Sequence, residues 1–395
     1  MRFLFQAAQA IRLPMPVLLA GIIFLGLMLK FPLPQALAAD KEPIYFGVAG
    51  PFSGDNAEYG AMWKRGFDIA LEEINSQGGL EGRPVEVVYE DTQSDPRQAA
   101  SVAQKFSRDD RLLAVLGDFS TSATWSASPI YQRAGMVQLA FNPSHPDLTK
   151  PGDCVFQLAP DQTVQAEALA GAVIDILGAK RLAVLHLNTD FGKAVRDNIV
   201  KAAQSRGVEI VTTEAYLPTD KDFRAILAKV KALAPDAVAL GSYYTDTALI
   251  MKQARDLDFK TQFVASSSVH SPALFTLGGD AVNGLITNSV FNFASPSPLL
   301  QEFTAKYSAR YKENEPDTFA TQAYDALRLL INAAAQSLKN GDLNRKSVRD
   351  ELAATKDFPA VSQATITFNA KRQLAEPHLF PIIARDGHFL PYVKP

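Results

Sequence analysis

The chain has 395 residues, of which 47 % are hydrophobic, and it carries a formal net charge of −3 with one cysteine. This length exceeds the usual single-domain size of about 100–150 residues and predicts two or more compact units. The hydrophobic fraction is typical of a globular protein with a full core and excludes a disordered or collagen-like chain. Because Cys154 is the only cysteine, an intrachain disulfide and a cysteine-based metal cluster are excluded.

The first 38 residues have the pattern of a secretory signal peptide. Arg2 and Arg12 make the start positive, a nearly unbroken apolar run extends from Met15 to Leu29, and Ala36-Leu37-Ala38 has the small-x-small form of a cleavage site. The alternative, a membrane anchor, needs about 20 apolar residues. We therefore predict a signal peptide over residues 1–38 and an exported mature protein.

Charge and motifs narrow the classes of function. Removing residues 1–38 takes away three basic residues and no acid, so the net charge falls from −3 to −6. No basic run of the kind that binds nucleic acid is present. The sequence also lacks the G-x-S-x-G, H-E-x-x-H, Walker A and G-x-G-x-x-G motifs, and its five histidines have no ligand spacing. We expect no catalytic site, no cofactor and no metal.

Short apolar strands alternate with amphipathic helices from Ile44 onward. Four strands are predicted in the first part of the chain, over residues 44–49, 85–89, 112–116 and 136–140. A helix with Trp63 and Phe67 on its apolar face ends at Gly78-Gly79, and Asp95-Pro96 begins another helix that reaches Phe106.

The alternation then starts again. Strands are predicted over residues 182–185, 208–211, 237–240 and 262–265, and helices over residues 166–177, 193–204, 223–233 and 247–256. A long helical stretch, 299–337, precedes weaker strands at 364–368 and 380–384. Repeated alternation of this kind builds parallel sheets covered by helices. We predict an α/β fold with two doubly wound parallel-sheet lobes.

Polar side chains follow five of the predicted strands. The segments are Gly117 to Ser122, Phe141 to Ser144, Asn188 to Gly192, Gly241 to Asp246 and Ser266 to Ser268. In open parallel sheets the ligand crevice lies beyond the carboxyl ends of the strands, where helix N-termini favour electron-rich groups. The alternative is that these residues only cap the helices that follow. Their presence at five junctions makes a binding crevice about as well supported as helix capping alone.

In this order and spacing, a set of short motifs resembles a known family. The motifs are Phe52-Ser53-Gly54 with Tyr59-Gly60 and Ile74-Asn75, Gly78-Gly79-Leu80-Glu81-Gly82, Tyr89-Glu90-Asp91-Thr92 with Asp95-Pro96 and Ala99-Ala100, Gly117 to Ser122 with Pro129-Ile130-Tyr131, Asp220-Lys221-Asp222-Phe223, and Pro235-Asp236-Ala237-Val238. Over nearly all of residues 43–390 the chain resembles the type I periplasmic substrate-binding proteins of ABC transporters, in the leucine/isoleucine/valine-binding branch.

The resemblance implies two lobes joined by a hinge. We expect lobe 1 to comprise residues 43–161 and 291–370, and lobe 2 to comprise residues 162–290 and 371–395. It also implies a monomer in the periplasm that binds a small molecule and contacts the permease subunits of an ABC transporter in the inner membrane. The alternative is a ligand-sensing periplasmic module for a membrane signalling partner.

The resemblance also implies a ligand site. A carboxylate of the ligand would meet the Thr121 and Ser144 hydroxyls, and the backbone carbonyl of Asn142 would also belong to the site. The other expected ligand-binding residues are Tyr59, Phe119, Ser120, Phe191, Tyr243 and Ser267. Among them, Tyr59, Phe119 and Tyr243 are expected to enclose the body of the ligand.

Two residues depart from the family pattern. Ser267 stands where an amino-acid binder usually has an acid, and Phe191 replaces a more usual tyrosine. A buried ammonium without a counter-charge is costly. Asp118 and Asp246 are the candidates to substitute for the acid, although their positions in the sequence do not ensure that they reach the ligand. The ligand could therefore be an amino acid or an aromatic or aliphatic acid.

Overall fold

The computed structural model describes residues 41–292, 295–312 and 316–392. The predicted signal peptide, residues 1–38, lies outside the described residues. No helix in the described ranges combines the length and the apolar character needed to cross a membrane.

A five-stranded parallel sheet, sheet I, is formed by the first part of the chain. Its strands are β1 (Ile44–Gly50), β2 (Val85–Asp91), β3 (Leu112–Gly117), β4 (Val137–Ala140) and β5 (Val155–Gln157). Their spatial order is β2-β1-β3-β4-β5, with every neighbouring pair parallel. Helices cover both faces, so β3 and β4 are buried along their whole length, and β3 is an apolar run rather than an alternating pattern.

Sheet II repeats this order and then extends it. Its strands are β6 (Arg181–Leu187), β7 (Glu209–Tyr216), β8 (Ala237–Gly241), β9 (Gln262–Ala265), β10 (Ile286–Ser289), β13 (Phe380–Arg385) and β14 (His388–Pro391). Strands β6 to β10 are parallel and lie in the order β7-β6-β8-β9-β10. Strands β13 and β14 add to the β10 edge in antiparallel pairing. A separate short pair is formed by β11 (Phe358–Pro359) and β12 (Thr365–Ile366).

The α-helices of the described ranges cover these sheets. They are α1 (Ala57–Ser76), α2 (Pro96–Ser107), α3 (Thr121–Arg133), α4 (Gln162–Ala170), α5 (Asp190–Gln204), α6 (Arg224–Ala232), α7 (Tyr244–Asp256), α8 (Ala273–Gly278), α9 (Pro298–Arg310), α10 (Thr318–Lys339) and α11 (Arg345–Ala353). The predicted cap of α2 is confirmed, because the Asp95 side chain accepts hydrogen bonds from the N–H groups of Arg97 and Gln98.

The structure corrects two predicted helices. The stretch 299–337 is two helices, α9 and α10, because Pro316 has no N–H to continue a helix and Asp317 caps α10 through bonds from two backbone N–H groups. Helix α4 begins at Gln162, four residues earlier than predicted, where Asp161 caps it. It then continues as a π-helix over Gly171–Ile176.

The chain passes between the two sheets three times. It leaves sheet I after β5, returns to helices that pack beside sheet I after β10, and enters sheet II again before β13. Before the last crossing, Arg372 donates to the Val155 carbonyl and Gln373 donates to the side chain of Gln157. Arg372 and Gln373 therefore still contact β5 of sheet I before the chain enters sheet II, and the expected lobe bounds stay a prediction.

A buried carboxylate holds the segment before the third crossing against α10. Asp325 has no exposed surface and accepts hydrogen bonds from the Val361 N–H at 2.9 Å, the Ser362 N–H at 2.7 Å and the Ser362 hydroxyl at 2.6 Å. Burial raises the pKa of Asp325, and the nearby Arg328 opposes that shift.

Replacing Asp325 by alanine should leave two buried N–H groups without acceptors. We expect Asp325→Ala to lower the free energy of unfolding by about 2–5 kcal/mol in urea denaturation. Asp350→Ala is the matched control, because Asp350 makes only exposed ion pairs and should cost less than about 1 kcal/mol. Equal losses in the two variants would contradict this role of Asp325.

Candidate functional site

The candidate site is a small cavity of about 30 Å³ between the carboxyl ends of the strands of sheets I and II. In both sheets the strand order reverses beside the first strand, and such switch points are where open α/β sheets bind ligands. The cavity is lined by Phe119, Thr121, Asn142, Pro143, Ser144, Ala159, Pro160, Gln162, Gln165, Phe191, Tyr243, Ser267, Ser268, Val290, Thr318, Phe319 and Gln322.

A glycine allows the chain to turn sharply into the site after β3. Gly117 has φ = 109°, and a Cβ there would lie 2.0 Å from the Ala49 carbonyl oxygen of β1. The turn carries Phe119 to the cavity and begins α3 at Thr121. Ser120 serves as the N-cap, because its hydroxyl accepts a hydrogen bond from the Ala123 N–H at 3.3 Å.

One end of the cavity presents hydrogen-bond donors. Thr121 is 1 % exposed, and its hydroxyl has no hydrogen-bond partner among the described residues. It stands in the first turn of α3, where backbone N–H groups have no acceptor within the helix. Ser144 accepts a hydrogen bond from the Gln162 side chain at 2.5 Å, which leaves its own hydroxyl proton to donate.

Asn142, another residue of the lining, has a buried side-chain oxygen. Its Nδ2 donates to the Phe141 carbonyl at 3.2 Å and to the Gln322 Oε1 at 2.8 Å. Its Oδ1 is buried and accepts no hydrogen bond within the described part of the chain.

Ser267 is bound to a glutamine of α4. Its backbone N–H and its hydroxyl both donate to the Gln165 Oε1, at 3.3 and 3.1 Å. The Gln165 Nε2 donates to the Pro160 carbonyl at 2.9 Å. Gln165 therefore connects the end of the β5 segment with the loop after β9.

The aromatic residues contact one another at one wall of the cavity. The rings of Tyr59 and Phe119 stack at 4.0 Å between centroids, and those of Phe191 and Tyr243 stack at 5.0 Å. Phe119 and Tyr243 are 5.2 Å apart. Phe119 and Tyr243 line the cavity and Tyr59 does not, so the enclosure of the ligand by these three rings stays a prediction.

Several hydrogen bonds join the sheet I side of the site to the sheet II side. Tyr59 donates to the Ser268 carbonyl at 2.6 Å, and the Ser122 hydroxyl donates to Asp190 at 2.8 Å. Burial raises the pKa of Tyr59 well above its ordinary value, so its hydroxyl remains a donor. His270 and Thr318 make a further contact at 2.7 Å.

The structure brings most of the expected ligand-binding residues together. Seven line the cavity: Phe119, Thr121, Asn142, Ser144, Phe191, Tyr243 and Ser267. Tyr59 and Ser120 lie outside the lining, in supporting positions. Their ligand contacts remain predictions.

The lining also contains residues that the sequence reasoning missed. They are Gln162 and Gln165 on α4, and Thr318, Phe319 and Gln322 on α10. The Pro316-Asp317 pair was a usable signal for the α10 residues, because it begins a helix inside the stretch that the periodicity joined into one.

Comparison with known proteins agrees with this architecture. Residues 43–380 match the family model described as periplasmic binding protein. The chain belongs to the periplasmic binding protein family. Relatives of this binding protein include a Leu/Ile/Val-binding protein homolog of Brucella abortus, 28 % identical over 75 % of this chain and 79 % of the relative. An amino acid binding protein of Pseudomonas aeruginosa is 29 % identical over 79 % of this chain and 83 % of its own length.

Solved structures show the same fold. The branched-chain amino acid transporter substrate-binding protein LivJ of Streptococcus pneumoniae, in complex with isoleucine, is 28 % identical with a TM-score of 0.82. An ABC transporter substrate-binding protein of Desulfitobacterium hafniense, in complex with Leu, is 25 % identical with a TM-score of 0.75. Both matches cover 89 % of this chain and 100 % of the other. The predicted fold class and family are confirmed.

The two acids considered as partners for a ligand ammonium do not line the cavity of this binding protein. Asp118 is 1 % exposed and Asp246 is 6 % exposed, and neither is among the lining residues. Burial raises the pKa of Asp118 to about 7, and burial raises that of Asp246 to about 6 against the opposing effect of Lys221. Asp118 accepts a hydrogen bond from the Phe119 N–H, so it supports the turn after β3.

The raised pKa of Asp118 predicts a pH-dependent effect of its substitution. Between pH 4 and 7 the folded protein holds a proton on Asp118 that the unfolded chain releases, so the contribution of Asp118 to the free energy of unfolding falls as pH rises through this window. We expect the melting temperature of Asp118→Asn to rise relative to that of the wild type between pH 5 and pH 8. The matching change in the free energy of unfolding is at most about 1.4 kcal/mol per pH unit.

Thermal unfolding of both proteins over this pH range is the measurement. Asp222→Asn is the control, because Arg224 lowers the pKa of the exposed Asp222 to about 2 and its difference from the wild type should stay flat. A flat difference for Asp118→Asn as well would contradict the raised pKa.

Proposed function

We propose that this protein is a periplasmic receptor that captures a small carboxylate-bearing ligand and delivers it to the permease subunits of an ABC importer in the inner membrane. The observation that carries the proposal is the buried hydroxyl of Thr121 at the start of α3, which has no partner among the described residues and lies in the cavity between the two sheets. Family membership supports the receptor role, and the names of relatives support an association with transport.

A carboxylate suits the donor end of the cavity. It accepts hydrogen bonds without needing to donate any. The Thr121 and Ser144 hydroxyls and the first N–H groups of α3 are donors, and the helix N-terminus adds a partial positive charge. Together they would bind a carboxylate without a basic side chain.

Binding rather than turnover agrees with the chemistry of the lining. Among the residues that the structure places around the cavity there is no acid, no base and no cysteine. The hydroxyls therefore have no general base beside them, which a serine or threonine nucleophile requires. We propose that the protein is not an enzyme and that it needs no cofactor.

Hinge closure is the proposed way in which the ligand enters. With the lobes proposed above, opening would separate the strand ends of sheet I from those of sheet II. The Tyr59–Ser268 and Ser122–Asp190 hydrogen bonds would break on opening and form again on closing. The three short crossings between the sheets would absorb the rotation. Export by the signal peptide and a monomeric state complete the proposal.

The ligand class is tested by a thermal-shift screen of amino acids, aromatic acids, aliphatic acids and neutral amides. A ligand that binds only the folded protein raises its melting temperature. We expect carboxylic acids, amino acids or others, to raise it and the matching neutral amides to leave it unchanged. A response to the amides with none to the acids would contradict the proposal.

Thr121→Val removes the hydroxyl and keeps the shape of the side chain. For the carboxylic acid that gives the largest thermal shift, we expect the dissociation constant to rise roughly 5- to 150-fold in isothermal titration, because a buried carboxylate loses about 1–3 kcal/mol of hydrogen bonding. Thr121→Ser, which keeps the hydroxyl, is the control and should bind within about threefold of the wild type. An unchanged dissociation constant in Thr121→Val would exclude Thr121 as a carboxylate ligand.

A further inference from the structure

The orientation of the Gln165 amide is determined by two backbone groups. The Ser267 N–H can only donate, so the Gln165 atom beside it is the oxygen. The Pro160 carbonyl can only accept, so the Gln165 atom beside it is the nitrogen. Both contacts give the same orientation.

This orientation determines the role of the Ser267 hydroxyl. Because the Gln165 Oε1 only accepts, the Ser267 hydroxyl must donate its single proton to it. The lone pairs of the Ser267 oxygen therefore remain available to a ligand in the cavity that Ser267 lines. Ser267 acts toward a ligand as an acceptor.

A second acceptor is determined in the same way. The Phe141 carbonyl can only accept, so the Asn142 atom beside it is the amide nitrogen. The Oδ1 of Asn142 is then the atom without a partner among the described residues. Ser267 and Asn142 thus supply two neutral acceptors to a cavity in which the Thr121 and Ser144 hydroxyls are available to donate.

Charge decides which donor on the ligand can meet these acceptors. An ammonium brings three N–H donors and a full positive charge, and burying that charge without a carboxylate is costly. All seventeen residues that the structure places around the cavity are uncharged. The Asp118 and Asp246 carboxylates lie outside this lining, and burial raises the pKa of each, which favours their neutral form.

We infer that the ligand is a small carboxylic acid whose second polar group is a neutral donor, a hydroxyl or an amide N–H, and that Ser267 is the residue that selects it over an ammonium. This inference rests on the proposed function, because it takes the carboxylate at Thr121 and Ser144 as given. The apolar part of the lining, which includes Ala159, Val290 and Phe319, suits an apolar body as the remaining part of the ligand.

Three acids of the same carbon skeleton test the inference on the mature wild-type protein. They are leucine, 2-hydroxy-4-methylpentanoate and 4-methylpentanoate, which carry an ammonium, a hydroxyl and a hydrogen at C2. By isothermal titration we expect the hydroxy acid to bind about tenfold more tightly than 4-methylpentanoate, the contribution of one neutral hydrogen bond, and at least about tenfold more tightly than leucine.

Two substitutions place the selection at Ser267. Ser267→Ala removes the acceptor and should reduce the advantage of the hydroxy acid over 4-methylpentanoate by at least about fivefold, while the affinity for 4-methylpentanoate stays within about twofold. Ser267→Asp supplies a carboxylate and should reverse the order, so that leucine binds more tightly than the hydroxy acid. Ser267→Ala keeps the test decisive if Ser267→Asp does not fold.

The outcomes separate the inference from the proposed function. The inference would be overturned if leucine bound the wild type more tightly than the hydroxy acid does. It would also be overturned if the hydroxy acid kept its full advantage over 4-methylpentanoate in Ser267→Ala. Either result would leave the proposed function as a carboxylate receptor intact. Failure of all three acids to bind, together with no response to carboxylic acids in the thermal-shift screen, would overturn both.

Discussion

The hydrogen bonds of the Gln165 amide connect the two halves of this molecule at the site. Through Pro160 the amide reaches the segment that follows β5 of sheet I, and through Ser267 it reaches the loop after β9 of sheet II. A buried amide must satisfy both its oxygen and its nitrogen. In this structure Gln165 satisfies its nitrogen through Pro160 and its oxygen through Ser267, so both segments are held beside it. Because the Ser267 hydroxyl donates its proton to Gln165, Ser267 is an acceptor toward a ligand. One side chain thus links the arrangement of the halves to the chemistry of the cavity.

The wider architecture explains why the cavity forms at this place. Both parallel sheets have the same strand order, and in each the reversal of that order opens a gap between neighbouring connections at the carboxyl ends of the strands. Gly117, whose close approach to Ala49 tolerates no side chain, allows α3 to begin directly above the gap in sheet I. The donors of the cavity follow from this placement, since a helix that begins there presents unpaired N–H groups. Packing and recognition therefore depend on the same turn.

Much of the fold and part of the site could be predicted from the sequence. The end of a strand is a local signal in the sequence. Residues that follow strands could therefore be placed at the carboxyl ends of the sheets, and the structure brings four of them to one cavity: Thr121, Ser144, Phe191 and Ser267. Gln162, Gln165 and Gln322 could not be found in this way, because they lie within helices and contact Ser144, Ser267 and Asn142, which are distant in sequence. Ring-to-ring packing is equally non-local, so the sequence could not show that Tyr59 supports Phe119 from behind.

Recognition as proposed here uses Thr121 as a donor and Ser267 as an acceptor in one cavity. A crystal structure of the protein with 2-hydroxy-4-methylpentanoate tests both roles at once. We expect a carboxylate oxygen within hydrogen-bond distance of the Thr121 hydroxyl, and the C2 hydroxyl of the ligand donating to the Ser267 oxygen. A carboxylate bound at Ser267 and Asn142 instead, or a ligand bound outside this cavity, would contradict it.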